Sequence, residues 1–214
     1  MAASLTLAES VADALRDGIL QGRFRCGERL VEITLARELN VSQNTVRDAL
    51  RLLEHDGWVV KHARRGVYVR SFTREEAIEI YALLASVESV ALEWAMDTLT
   101  RARVHELRRL IRAARRATSP ALAIEALFRF HETIGLNSGR ALTAEILSRL
   151  YNYMRLLEVT RQAQTPRNSD ELEAQIRAHA DLLRLMEAGD RDGAQMALLS
   201  LLAAYREMVL PVLP

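Results

Sequence analysis

From Thr73 to Pro214 the sequence never leaves a helical period. Ile80, Leu83, Leu84, Val87, Ala91 and Trp94 stripe one face at spacings of three and four. Five further segments follow, over residues 101–117, 120–136, 140–161, 170–188 and 191–212. Amphipathic helices in unbroken succession bury their apolar stripes against one another, which predicts an all-α bundle. Glycine and proline are too scarce (9 and 4) to break these segments internally. Thr73 with Glu76 forms a capping box, and Ser119–Pro120 supplies an N-cap with a first-turn proline. Ser138, Ser169 and Asp190 are read as further N-caps, and Gly189 as a helix C′ residue.

The first 72 residues read differently. Leu7, Val11, Ala14, Leu15 and Ile19 stripe an opening helix, which "GRFRCG" ends. A short helix is expected over residues 32–39. A turn at "NVS" follows, and Ser42 then caps a second helix that runs to about Gly57. There the period changes to two. In "WVVKHARRGVYVR", Val67 and Val69 face one way and Tyr68 and Arg70 the other, with Gly66 at the turn. Helix, turn, helix and hairpin in this order predict a winged helix-turn-helix. The fold class is therefore mainly α: a winged helix-turn-helix over residues 1–72, then an all-helical bundle over 73–214.

The helix after "NVS" separates its chemistry by face. Val46, Ala49, Leu50 and Leu53 form an inward stripe, leaving Ser42, Gln43, Asn44, Thr45, Arg47 and Arg51 outward. A recognition helix presents such first-turn residues to base edges in the major groove. Gln and Asn match adenine, Arg matches guanine or phosphate, and the Ser42 and Thr45 hydroxyls suit phosphate oxygens. His62, Arg64, Arg65 and Gly66 sit at the hairpin tip, and residues 57–70 carry Lys61, Arg64, Arg65 and Arg70 with no acid after Asp56. The net charge of the whole chain is only +1, so a nucleic-acid reading rests on this local distribution.

Other classes find less support. Cys26 is the single cysteine, which excludes an intrachain disulfide or a cysteine zinc site and suits a reducing compartment. "MAASLTLAES" lacks a basic start, and apolar runs such as "MALLSLLAAY" are too short to span a bilayer. The expectation is a cytoplasmic protein with no membrane partner. No nucleophile elbow, phosphate loop or dinucleotide fingerprint is present, so no catalytic residue is assigned and the chain is read as a non-enzyme. The segment "RARVHELRRLIRAARRA" carries seven arginines against Glu106, and a solvated outer face is the better reading than a second DNA contact.

On these residues the amino-terminal part resembles the DNA-binding domain of GntR-family bacterial transcription regulators. The matching stretches are "LRDGILQGRF", "CGERLVEITLARELNVSQNTVRDALRLLEHDGWV" and "RRGVYV". Gln43, Asn44 and Thr45 stand where the family usually has Arg, Thr and Pro, and Cys26 replaces a usual Pro. The resemblance makes Arg47 the firmest expected DNA contact. Loss of the Arg at position 43 implies an operator richer in contacts to A·T pairs.

The remainder resembles the helical FCD sensing domain of the family's FadR-type branch, in its shorter, VanR-like six-helix form. The resemblance is carried by "FRFHETIGLNSGRAL" and "HADLLRLMEAGDRDGAQMALL". Many such domains hold a divalent metal with an Asp and three His, and the metal receives an effector carboxylate. Here His131 and His179 keep two of those positions, while Leu127 and Leu201 occupy the others and Arg140 replaces a usual Asn. Two leucines donate nothing, so no metal cofactor is expected, with His131 and His179 as the residual possibility. The expected effector pocket comprises His131, His179, Arg140, Tyr151, Arg155 and Tyr205. The resemblance implies a homodimeric repressor on a palindromic operator in double-stranded DNA. A small organic acid, or a more apolar ligand, would release it. The alternatives are a constitutive DNA-binding protein with a degenerate sensor, or a helical metal-dependent enzyme.

Overall fold

The computed structural model describes residues 5–165 and 167–214. Residues 1–4, part of the stretch read as carrying no leader, and residue 166 lie outside the described residues. Helix α1 (Leu7–Leu20) leads through strand β1 (Arg29–Leu30) to α2 (Glu32–Glu38) and α3 (Gln43–His55). Strands β2 (Val59–His62) and β3 (Gly66–Val69) form the wing. Six helices follow: α4 (Arg74–Asp97), α5 (Arg101–Arg116), α6 (Pro120–Asn137), α7 (Ala141–Gln164), α8 (Ser169–Ala188) and α9 (Arg191–Val209). A 3₁₀ turn, Leu210–Val212, closes the chain.

The winged fold is held by apolar stripes at the predicted spacings. Val11, Leu15 and Ile19 of α1 and Val46, Ala49, Leu50 and Leu53 of α3 are all buried, and Trp58, Val59 and Val69 join the same core. Ser42 caps α3 by accepting from the Thr45 amide at 3.1 Å. The sheet is antiparallel in the order β1-β3-β2, with Leu30 opposite Val67 and Val60 opposite Tyr68. Strand β1 was not expected. Two residues carry no readable alternation, and they become a strand only by pairing with β3.

In the second part, α4 runs against α6, α7 and α9, and α5 against α6 and α8. The Thr73–Glu76 box, the Ser119 cap with Pro120, the Asp190 cap and the left-handed Gly189 all form. Two capping expectations are corrected. Ser138 ends α6 rather than starting α7, its hydroxyl donating to the Gly135 carbonyl at 2.6 Å. Ser169 is already helical, because Asn168 caps α8 in a box with Glu171. Asn outcompetes the following Ser because Glu171 then stands at N3, where it can reach back.

The two parts meet along α7. Asn152 Nδ2 donates to the Asp56 carbonyl at 3.0 Å, and the Cys26 thiol to the Leu156 carbonyl at 3.6 Å. Tyr153 packs edge-on against Phe72 and lies beneath the Arg70 guanidinium, each at 5.2 Å. Gly57 sits at φ +86°, and a Cβ there would come within 2.5 Å of the Tyr153 ring. Backbone conformation and close approach thus both require glycine. Cys26 is half-buried in this seam, and burial pushes its thiol up, away from a nucleophilic role.

Candidate functional site

The first turns of α3 present a polar tip. Ser42, Gln43, Asn44, Arg47 and Arg51 are exposed and Thr45 is half-buried. Arg47 is oriented from two sides: Nη1 donates to Asn44 Oδ1 at 3.2 Å and Nη2 to Glu32 Oε2 at 2.8 Å. Arg51 pairs with Asp48 at 3.1 Å. Glu32 belongs to α2 and was not singled out from sequence; only the packing of α2 against α3 brings it to Arg47. At the wing tip, His62, Arg64 and Arg65 are exposed, with Arg64 at φ +62°. The His62 ring stacks edge-on against Tyr68 at 5.2 Å. Gly66, at φ +105°, leaves room for the Arg29 side chain, which a Cβ would meet at 3.0 Å. Arg29 is thereby added to the wing's cations.

The expected effector pocket does not assemble as one site. His131 and His179 do converge, Nε2 to Nε2 at 3.1 Å, and both are fully buried. Glu88 of α4 accepts from His131 Nδ1 at 2.6 Å, and the Gln175 carbonyl accepts from His179 Nδ1 at 2.7 Å. Burial, reinforced by the neighbouring His131, pushes His179 down to about 3, so His179 is the acceptor. His131 Nε2 is then the donor across this contact, with Glu88 against the other side of its ring. Tyr151 donates to the His131 carbonyl at 3.0 Å, and Tyr205 packs within 6.2 Å of the His131 ring centre.

Arg155 lies elsewhere. Its Nε and Nη2 donate to Glu125 at 2.9 and 3.0 Å, and its Nη1 to Glu132 at 2.7 Å. Arg140 is exposed, stacked over Trp94 at 5.0 Å. The grouping of these two arginines with the histidines is therefore corrected: helix spacing placed them on neighbouring segments but not on one face. Glu88 was missed. The signal for it is a lone carboxylate on the apolar face that also carries Leu84, Ala91 and Leu92.

The donors here do not fit a divalent ion. Two imidazoles converge, Leu127 and Leu201 are buried at the other positions, and no group of three His, Cys, Asp or Glu gathers among the described residues. A second buried cluster stands nearby. Glu158 accepts from Arg161 Nε at 2.9 Å, Arg167 Nη2 at 2.9 Å and Gln162 Nε2 at 2.9 Å. Burial alone would raise its pKa; the Arg161 hydrogen bonds and the two guanidinium charges outweigh it and hold Glu158 below the ordinary carboxylate value.

A winged helix with a polar tip on α3 is thus joined to an all-helical bundle. The pattern described as "Bacterial regulatory proteins, gntR family" matches residues 7–69, and that of the FCD domain matches residues 79–204. The chain belongs to the gntR family of bacterial regulatory proteins and carries the FCD domain. It is 26% identical over 204 residues to a probable D-xylose utilization operon transcriptional repressor of Paenarthrobacter nicotinovorans, covering 94% of this chain and 87% of that one. It is 37% identical over 83 residues to the HTH-type regulator YdhC of Bacillus subtilis, covering 39% of this chain and 37% of YdhC. With YdhC, and with the Nta operon regulator of Aminobacter aminovorans (40% of that protein), the match spans well under half of the relative's length. The fold is shared with E. coli McbR/YncC at a TM-score of 0.82 and 22% identity, over 94% of this chain and 95% of that one. A GntR regulator from Rhodococcus sp. RHA1 superposes at 0.80 with 26% identity, over 97% and 99%. Among the described residues no helix is long and apolar enough to cross a membrane.

Proposed function

We propose that this chain is a ligand-responsive repressor of transcription, acting in the cytoplasm as a homodimer on a palindromic operator, with no catalytic activity. The observation that carries the reading is the tip of α3. Gln43, Asn44 and Arg47 stand exposed above a buried stripe, and the arginines of the wing flank them. Gln43 and Asn44 match adenine edges, Arg47 reads guanine or phosphate, and Arg64, Arg65 and Arg29 follow the backbone or the minor groove. Two-fold symmetry would place two such tips on half-sites one helical turn apart.

An organic-acid effector needs a cation to receive it. Arg155 already holds two carboxylates and Arg140 lies at the surface, so the more apolar alternative has the better support. No metal cofactor is assigned.

Purified protein is expected to retard genomic fragments flanking its own gene in dilute salt. Arg47→Ala should weaken that binding by about tenfold to a hundredfold with the thermal midpoint unchanged. Sites selected from random duplexes should lack an invariant guanine opposite Gln43. A protein that ignored such fragments, with Arg47→Ala altering nothing, would sink the reading.

A further inference from the structure

Between the two parts of the molecule lies a cleft of about 410 Å³. One wall is α1 of the winged domain, through Asp17, Leu20 and Gln21, and the other is α6 and α7. Its size falls within the range of small-molecule sites. The lining is mainly apolar: Leu20 on one side faces Leu122, Ile124, Phe128 and Val159 on the other. Phe128 also packs against Tyr205 at 5.5 Å, which links the cleft to the histidine cluster behind it. A second cleft of about 340 Å³ shares Asp17, Leu20, Glu125 and Arg155 and continues the trough toward Trp58.

The charges on this lining select an occupant. Among the described residues Arg155 is the one cation on the 410 Å³ cleft, its side chain only 6% exposed, and its donors are taken by Glu125 and Glu132. Two carboxylates on one guanidinium leave a net negative charge. Glu158 is held by two guanidiniums, Arg161 and Arg167, a cluster of net positive charge whose arginines line neither cleft. Asp17 is exposed and has no ion pair among the described residues. An anion entering here would meet the Asp17 carboxylate and, among the described residues, no unengaged cation on the lining; a cation would find Asp17 unpaired.

We propose that this interdomain cleft is the effector site and that it takes an amine with an apolar body: the body against Leu122, Ile124, Phe128 and Val159, the ammonium toward Asp17 and Glu125. This rests on the ligand-responsive reading above and gives it a location and a chemistry. A ligand that touches α1 and α6–α7 together favours one arrangement of the two domains by its differential affinity, which couples it to DNA. The position that the family resemblance gives to a metal-held carboxylate is occupied by the contact between His131 and His179 and by two leucines.

The test uses the full chain and three probes of one shape: phenylbutylamine, phenylbutanol and phenylbutyrate. The amine is expected to raise the thermal midpoint and to weaken retardation of the operator fragment. The alcohol should do so less, and the acid not at all. Operator DNA should weaken amine binding by the same factor. Asp17→Asn, at an exposed position, should weaken the amine about threefold, and Leu122→Trp, which fills the cleft from the exposed side, at least about tenfold. Equal responses to the acid and the amine, or an amine response untouched by either variant, would overturn the proposal. So would loss of self-association in Leu122→Trp without any amine response, since a second copy of the chain would then cover the cleft. A protein that grips its operator and ignores all three probes leaves the repressor reading standing and removes this one.

Discussion

Arg47 and Arg155 are the same side chain on two helices, and the fold gives them opposite fates. Arg47 stands at the solvent end of α3, steadied by donating one hydrogen bond each to Asn44 and Glu32, with donors left over. Arg155 lies inside, with Nε, Nη1 and Nη2 all donating to Glu125 and Glu132. A guanidinium is available to a partner only where its own protein leaves donors free and leaves them wet. The winged domain pairs its tip arginines at the surface and leaves them exposed, whereas the helical domain engages Arg155, Arg161 and Arg167 in buried pairs.

The contrast breaks hardest at Glu158. Glu158→Gln would leave Arg161 and Arg167 buried beside a neutral amide. The expected cost is about 3–5 kcal/mol, or roughly 10 °C in the thermal midpoint. Calorimetry checks this, and a shift no larger than that of an exposed substitution would show that water reaches the cluster.

Acid should act next. His179 is neutral when folded, down to about 3, against an ordinary 6.5. Between these values the unfolded chain binds the extra proton, so stability is complete above about 6.5 and shrinks as pH falls. Glu158, held low by its arginines, adds its loss further down as it takes up a proton. Thermal midpoints measured across this range should fall with pH, and His179→Leu should flatten the upper part of the slope. A midpoint indifferent to pH between 6.5 and about 3 would argue that the His179 imidazole is hydrated.

The smallest effect sharpens the comparison from the other side. Glu32→Gln removes a negative charge beside the recognition tip and loosens Arg47. Affinity for all duplexes should rise about threefold, while discrimination between operator and scrambled sequence falls. Paired titrations measure both, and a rise without loss of discrimination would show that Glu32 does not orient Arg47.

Legibility in the sequence follows the same division. The tip of α3 was readable because its chemistry is local: Ser42, Gln43, Asn44 and Arg47 stand outward within two turns, above a stripe that the spacing reveals. The family match strengthens the winged and helical organisation read from period alone. The interior of the second domain was half readable. His131 and His179 meet, but Glu88 reaches His131 across 43 residues, and no spacing rule connects them. Arg140 was misplaced because it is the extended N-cap of α7 and not a helical residue, and Arg155 because Glu125 and Glu132 of another helix hold it, which no spacing rule reveals. Strand β1 exists only through its partner, and the cleft beside α1 is a property of how two units meet.

The contact of Gly57 with Tyr153 bears on how this protein can be recombined. A methyl group at position 57 would strike the aromatic ring, so the amino-terminal module fits its present neighbour as a key fits one lock. Grafting a foreign sensing half onto it, or exporting this half to another reader of DNA, will transmit a signal only if that small-against-large pairing travels with the splice.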